Sequence, residues 1–196
     1  QATVIPQSDV NLPEVKQPDS WIFFDKIFCI SIDTRSDRRE QVKKQFAEIG
    51  ILSRVEFVIV AKHPTNQEQG IFESHMACLH KGLAAGGQHI LVFEDDVFFQ
   101  RYDPSALRRV CDYLETQVKW GGLFLGCMID DSARTENENL MKIKHRTLAH
   151  AYALNRPFAE KLVENSWQGV PFDEFLRQNQ EDFYAIYPMC AFQGRS

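Results

Sequence analysis

Several familiar signatures are missing from this sequence. No G-x-G-x-x-G follows its first apolar run, and none of its 196 residues form a G-x-x-x-x-G-K-[ST] loop. The first pattern would cradle a dinucleotide pyrophosphate and the second a nucleoside triphosphate, so both absences argue against those enzyme classes. A G-x-S-x-G elbow for acyl transfer is missing too. The five cysteines, Cys29, Cys78, Cys111, Cys127 and Cys190, are odd in number and contain no C-x-x-C. Most lie in apolar contexts, which points to buried free thiols in a reducing compartment rather than a disulfide framework. No apolar stretch is long enough to span a membrane, and no secretory leader is recognisable. The formal net charge of -5 offers no basic face for nucleic acid. It leaves room for an anionic ligand held by a local arginine cluster.

The composition, 44% hydrophobic and 25% charged, is that of a globular protein large enough for one substantial core. Residues 1–25, with Pro6, Pro13 and Pro18, read as an extended arm leading to the aromatic patch Trp21, Phe23 and Phe24. Residues 26–196 read as a single domain.

Within that domain the pattern alternates between strand and helix. Residues 27–32 form a strand candidate, followed by a basic cluster (Arg35, Arg38 and Arg39) and a helix. Ser36 is its expected N-cap, Val42, Phe46 and Ile49 mark its buried face, and Gly50 stops it. Residues 55–60 predict a second strand. Residues 71–86 predict a helix that turns His75 toward the core or a cleft. Residues 90–93 are a continuous apolar run suited to a strand buried on both faces. A helix opening at Asp103-Pro104, a short strand at 123–126 and a strand at 147–154 follow. Asn155 caps a further helix, another starts near Pro171, and residues 183–188 give the last strand. Residues 130–142, polar and rich in acids and asparagine, read as a surface loop that could close over a site. This order predicts an α/β protein with a mainly parallel sheet flanked by helices.

The residues that carry chemistry cluster at predicted strand ends. Glu94-Asp95-Asp96 ends the apolar strand, and the carboxyl ends of parallel strands are where α/β proteins bind ligands. Three adjacent carboxylates suit Mg²⁺ or Mn²⁺ shared with substrate phosphates. An isolated acidic turn in water would look the same. Arg35, Arg38 and Arg39 could neutralise a pyrophosphate or simply sit on a solvated first turn. His75 is either a satisfied core histidine or a ligand-binding one. Asp173 and Glu174 either complement the dipole of a helix start or supply a catalytic carboxylate. Together these groups fit a phosphate-linked donor held through a divalent ion.

The chain resembles glycosyltransferase family 25, which includes lipooligosaccharide and collagen galactosyltransferases. The matching blocks run from Ile30-Ser31-Ile32-Asp33 with Asp37-Arg38-Arg39, through Gly70 to Ser74-His75, to Leu91–Asp96. They continue with residues 123–126, 151–154 and 171–176, and finish at Pro188 and Gln193. The resemblance implies a GT-A-type, Rossmann-like fold and inverting transfer of a sugar, commonly galactose, from a UDP-sugar to a glycan or other hydroxyl acceptor. It places Mn²⁺ or Mg²⁺ at Asp96 and Glu94. Ser31, Asp33, Arg35, Arg38, Ser74, His75, Glu94 and Asp95 fall in the donor site, and Asp173 is the general base with Glu174 as substitute. The first position of the acidic motif is Glu rather than Asp, and residues 71–73 depart from the family run before Ser-His. A non-catalytic sugar-nucleotide or glycan-binding domain of the same fold is the alternative, and a metal-dependent phosphohydrolase a weaker one. The expected setting is cytoplasmic, in lipopolysaccharide or other glycan synthesis. A lipid-linked acceptor would require peripheral attachment at the inner membrane face.

Overall fold

The computed structural model describes residues 19–116 and 118–194. The elements in chain order are β1 (Lys26–Ile32), α1 (Ser36–Glu48), β2 (Val55–Val60), α2 (Gln67–Ala84), β3 (His89–Glu94), β4 (Val97–Phe99) and α3 (Pro104–Thr116). Then come β5 (Gly122–Arg134), β6 (Leu140–Asn155), α4 (Arg156–Val163), α5 (Phe172–Asn179), β7 (Phe183–Ile186) and β8 (Ala191–Gln193). Most of the expected arm, residues 1–18 with its three prolines, lies outside the described residues.

The central sheet has six strands in the order β2-β1-β3-β6-β5-β7. β1 pairs in parallel with β2 and β3, and β5 in parallel with β7, whereas β6 runs antiparallel to its neighbours β3 and β5. All strands but β6 therefore point the same way. Helices cover both faces, as the strand pleat requires. On one face Ile27, Cys29, Leu91 and Phe93 meet Val42 and Phe46 of α1 and Leu107, Val110 and Leu114 of α3. Trp21 and Phe24 join this layer, so the aromatic patch is part of the core. On the other face Phe28, Ile30, Ile90 and Val92 meet Phe72, Met76 and Leu79 of α2, Phe158 and Leu162 of α4, and Phe172 and Leu176 of α5. Each fully buried side chain of this size contributes about 1.5–3 kcal/mol.

Local signals account for most helix ends. Asn155 Oδ1 accepts from Phe158 N at 3.0 Å to start α4. Gly50, at φ +81, supplies the left-handed turn just beyond α1. Ser36 is not a cap, however. Arg35 occupies that position without a side-chain cap bond, and Asp37 supplies the favourable charge of the first turn.

The expected loop at 130–142 is instead the far half of a long hairpin, with Asp131 opposite Lys144 and Arg134 opposite Met141. Nearly all of residues 130–136 are solvent-exposed, so no apolar alternation marks them as a strand. β4 and β8 form a separate two-stranded sheet, with Val97 opposite Gln193. The Gly194 N–H also donates to the Asp96 carbonyl at 2.7 Å. This pairing brings the last described residues back onto the acidic turn.

Candidate active site

The ends of β1, β2 and β3 open on the same edge of the sheet, and the three acids stand where β3 emerges. Each acid has its own surroundings. Asp95 turns inward and is buried. Its Oδ2 accepts from Ser31 Oγ at 2.6 Å, and Arg38 Nη1 lies 3.6 Å from its Oδ1. Arg39 fixes the same corner by donating to Ser31 Oγ at 3.1 Å and to the Ile32 and Asp33 carbonyls at 2.5 and 3.0 Å. Asp95 thus ties the end of β3 to the end of β1.

Glu94 faces α2. Its Oε1 lies 3.1 Å from His75 Nε2, and His75 Nδ1 lies 2.9 Å from the Tyr152 hydroxyl. Burial pushes the Tyr152 phenol well above its ordinary pKa, so it stays protonated and can donate to Nδ1. The other ring nitrogen then carries the proton that is donated to Glu94. Burial alone would raise the Glu94 pKa. The His75 hydrogen bond and the nearby His75 and His150 outweigh it, leaving the carboxyl below its ordinary value. The His75 ring also stacks on Phe172, with centroids 4.2 Å apart and planes 5° from parallel. That contact locks α2 to α5.

Asp96 is the least satisfied of the three. Gln193 Nε2 donates to its Oδ2 at 3.1 Å and Arg38 Nη1 lies 3.8 Å away, while Oδ1 is buried without a partner. Burial and then the neighbouring Glu94 push its carboxyl up to about 6, against the smaller pull of Gln193 and Arg38. Among the described residues, no three His, Cys, Asp or Glu side chains converge as a metal cluster. The acids offer a smaller set, namely the free Asp96 Oδ1 and the pair Glu94 Oε2 and Asp96 Oδ2 that converge on the Gln193 amide. This set fits Mg²⁺ or Mn²⁺ of the kind held by one or two carboxylates with substrate oxygens completing the shell.

Two adjoining cavities meet at these residues. The first, about 280 Å³, is lined by Arg38, the β2 end with Lys62 and His63, Gly70, Ser74 and His75 of α2, the three acids and Gln193. The second, about 250 Å³, is lined by Glu68, Leu148, Pro171, Phe172 and Asp173. Ile71, His75, Glu94 and Gln193 line both. In the second cavity the Asp173 Oδ2 accepts from the Thr147 hydroxyl and, at 3.4 Å, from Leu148 N, while Oδ1 accepts from Glu174 N at 2.9 Å. Leu148 has φ +74, an uncommon conformation for a non-glycine residue. His145 Nε2 holds that bend by donating to the Leu148 carbonyl at 3.0 Å.

The expected residues sort as follows. Arg38, Ser74, His75, Glu94, Asp95 and Asp96 share the first cavity, and Asp173 lies in the second. Ser31 sits behind the wall, bonded to Asp95. Asp33 and Arg35 do not line the cavity; Asp33 is exposed and Arg35 pairs with Asp37 at 2.9 Å. Ser74 Oγ donates to the Gly70 carbonyl at 2.6 Å. Glu174 points outward to Arg177 at 3.2 Å and does not line the second cavity. Sequence reasoning assigned no role to Gln193, Lys62 or Tyr152. Lys62 follows the second strand directly, a position legible as a strand end. Gln193 and Tyr152 reach the site through pairings distant in sequence.

A doubly covered α/β sheet with a charged cleft at its carboxyl edge defines the class, a Rossmann-like α/β fold. Two solved structures share the fold. A197 from STIV has a TM-score of 0.54 at 11% identity, covering 87% of this chain and 86% of that one. Mannose-1-phosphate geranyltransferase from Thermus thermophilus has a TM-score of 0.51 at 10% identity, covering 86% and 76%. No family model matches the chain. Its curated relatives are members of the glycosyltransferase 25 family, and the similarity extends over most of the chain. The inactive glycosyltransferase 25 family member 3 of Homo sapiens is 27% identical over 202 residues, covering 87% of this chain and 34% of that protein. Procollagen galactosyltransferase 1-A of Xenopus laevis is 27% identical over 206 residues, covering 86% and 33%. The chain thus spans about a third of the length of the curated relatives it matches.

Proposed function

We propose that the chain from residue 26 onward, with Trp21 and Phe24 packed into its core, is one glycosyltransferase domain. In this reading it moves a sugar, galactose by family habit, from a UDP-sugar to a hydroxyl of a glycan or other acceptor, with inversion. The observation that carries the reading is the pair of adjoining cavities. One holds the acids and Arg38, the other holds Asp173, and His75, Glu94 and Gln193 stand between them. A donor in the first cavity and an acceptor in the second would meet at that boundary.

Arg38, already beside Asp95 and Asp96, would turn toward the donor diphosphate and add positive charge there. Asp96 and Glu94 would hold Mn²⁺ or Mg²⁺, which would supply further positive charge to offset that of the departing diphosphate. His75 and Tyr152 hold Glu94 ionised and oriented. Asp173 takes the proton of the acceptor hydroxyl. Its Oδ1 accepts a single hydrogen bond from the protein and so keeps a lone pair for that proton. The acceptor oxygen bonds to the anomeric carbon as the bond to the diphosphate breaks on the opposite face. Glu174, turned to Arg177, leaves this role to Asp173.

The proposal includes the cytoplasmic setting, supported by the burial of Cys29, Cys78, Cys111 and Cys190. Among the described residues no helix is long and apolar enough to cross a membrane. A lipid-linked acceptor would be met at the inner membrane face by peripheral attachment. A second reading, binding without turnover, is favoured by the relatives whose names call them inactive. The test is UDP release from UDP-galactose across a panel of hydroxyl acceptors, comparing the wild type with Asp173→Asn. Transfer should fall by about 100-fold or more in the variant while donor binding persists. Intact turnover in folded Asp173→Asn would remove the base assignment. Donor bound by the wild type but never turned over would establish the binding-only reading.

A further inference from the structure

Around the acids, each hydrogen-bond donor has a distinct reach. Arg38 touches Asp95 and Asp96, and His75 touches Glu94. Gln193 touches both Glu94 and Asp96, its Nε2 lying 3.4 Å from Glu94 Oε2 and 3.1 Å from Asp96 Oδ2. Its position does not depend on a free side chain finding the acids. Pairing of Val97 with Gln193, and the Gly194 N–H bond to the Asp96 carbonyl, fix the backbone of β8 beside the acidic turn. Two carboxylates converging on one point describe a cation site, yet the group at that point is an uncharged amide. An amide N–H and a divalent ion compete for the same carboxylate oxygens, so one must leave for the other to bind.

We propose that Gln193 is a placeholder for the cation: its amide holds Glu94 and Asp96 in register until a divalent ion displaces it. The proposal rests on the metal reading above and adds a consequence to it. A bare ion meets a pair of acids already hydrogen-bonded, so it binds weakly. A nucleoside diphosphate that brings further oxygens makes the exchange favourable, and the order of binding is thereby biased toward ion and diphosphate together.

The test measures Mn²⁺ binding alone and with UDP, by electron paramagnetic resonance of free Mn²⁺, in the wild type, Gln193→Ala, Gln193→Glu and Asp96→Ala. Losing hydrogen bonds to charged groups at an exposed site should tighten binding of bare Mn²⁺ by about threefold to tenfold in Gln193→Ala. Gln193→Glu should tighten it further by adding a carboxylate, and Asp96→Ala should abolish it. UDP should tighten Mn²⁺ binding in the wild type and in Gln193→Ala alike, because the ion displaces the wild-type amide with or without the nucleotide. A merely structural role would give the opposite sign, with β8 loosened and Mn²⁺ bound more weakly. Weaker or unchanged binding in a folded Gln193→Ala overturns the placeholder while leaving the metal reading intact. No Mn²⁺ binding by any of the proteins, with or without UDP, overturns both.

Discussion

Asp96→Asn should make the protein more stable while weakening the proposed metal-dependent donor binding. In the native fold burial and the adjacent Glu94 push the Asp96 carboxyl up from 3.8 to about 6, and its Oδ1 is buried without a partner. A raised pKa means that the protonated form suits the fold. Its stabilising effect is fully present below 3.8 and is lost as pH rises through about 6. The gap corresponds to about 3 kcal/mol at about 1.36 kcal/mol per pH unit. Asparagine resembles the protonated acid in shape and charge, but its amide group is left with one buried polar atom unsatisfied, which reduces the gain. The expected net effect at pH 7.5 is a stabilisation of about 1–3 kcal/mol, falling toward zero at about pH 4. The assay is urea denaturation in EDTA, followed by tryptophan fluorescence, for variant and wild type across that pH range. A variant no more stable than wild type at pH 7.5, or a gain independent of pH, would refute the reasoning. The same substitution should weaken metal-dependent donor binding, so stability and function trade against each other at this residue.

Tyr152→Phe should lower stability by about 1–2 kcal/mol in urea denaturation, because His75 Nδ1 is left without its buried partner. Donor affinity should fall with it as Glu94 loses its fixed orientation; unchanged values for both would sever Tyr152 from the site. Gly126→Ala should destabilise by about 3 kcal/mol, since a β-carbon there would collide with the Ala191 carbonyl of β8. A fully stable Gly126→Ala protein would mean that β8 does not pack as described.

Much of the frame was legible because its signals are local. The residues 90–93 run is buried along its whole length, as a strand covered on both faces requires. The acids fall at its carboxyl end for the same reason. His75 was read as either a core or a ligand-binding residue, and the structure makes it buried and a cavity wall at once. The β5 arm of the far hairpin was not legible, because residues 130–134 are exposed on both faces and show no apolar alternation. β4 and β8, at three residues each, are too short to show a period. Gln193 depends on that short pairing, so its place beside the acids could not be inferred from its neighbours in sequence. Arg35 and Arg38 looked equivalent as members of one basic cluster. On the folded chain Arg38 turns into the cavity, while Arg35 folds back onto Asp37.

The most direct test of a metal-assisted nucleotide-sugar site is calorimetric titration of UDP and UDP-galactose with Mn²⁺ and with EDTA, in wild type and Asp96→Ala. The account predicts binding with Mn²⁺ that is lost in EDTA and in the variant. Absence of nucleotide binding by wild type with metal present, or equal binding by Asp96→Ala, would contradict it.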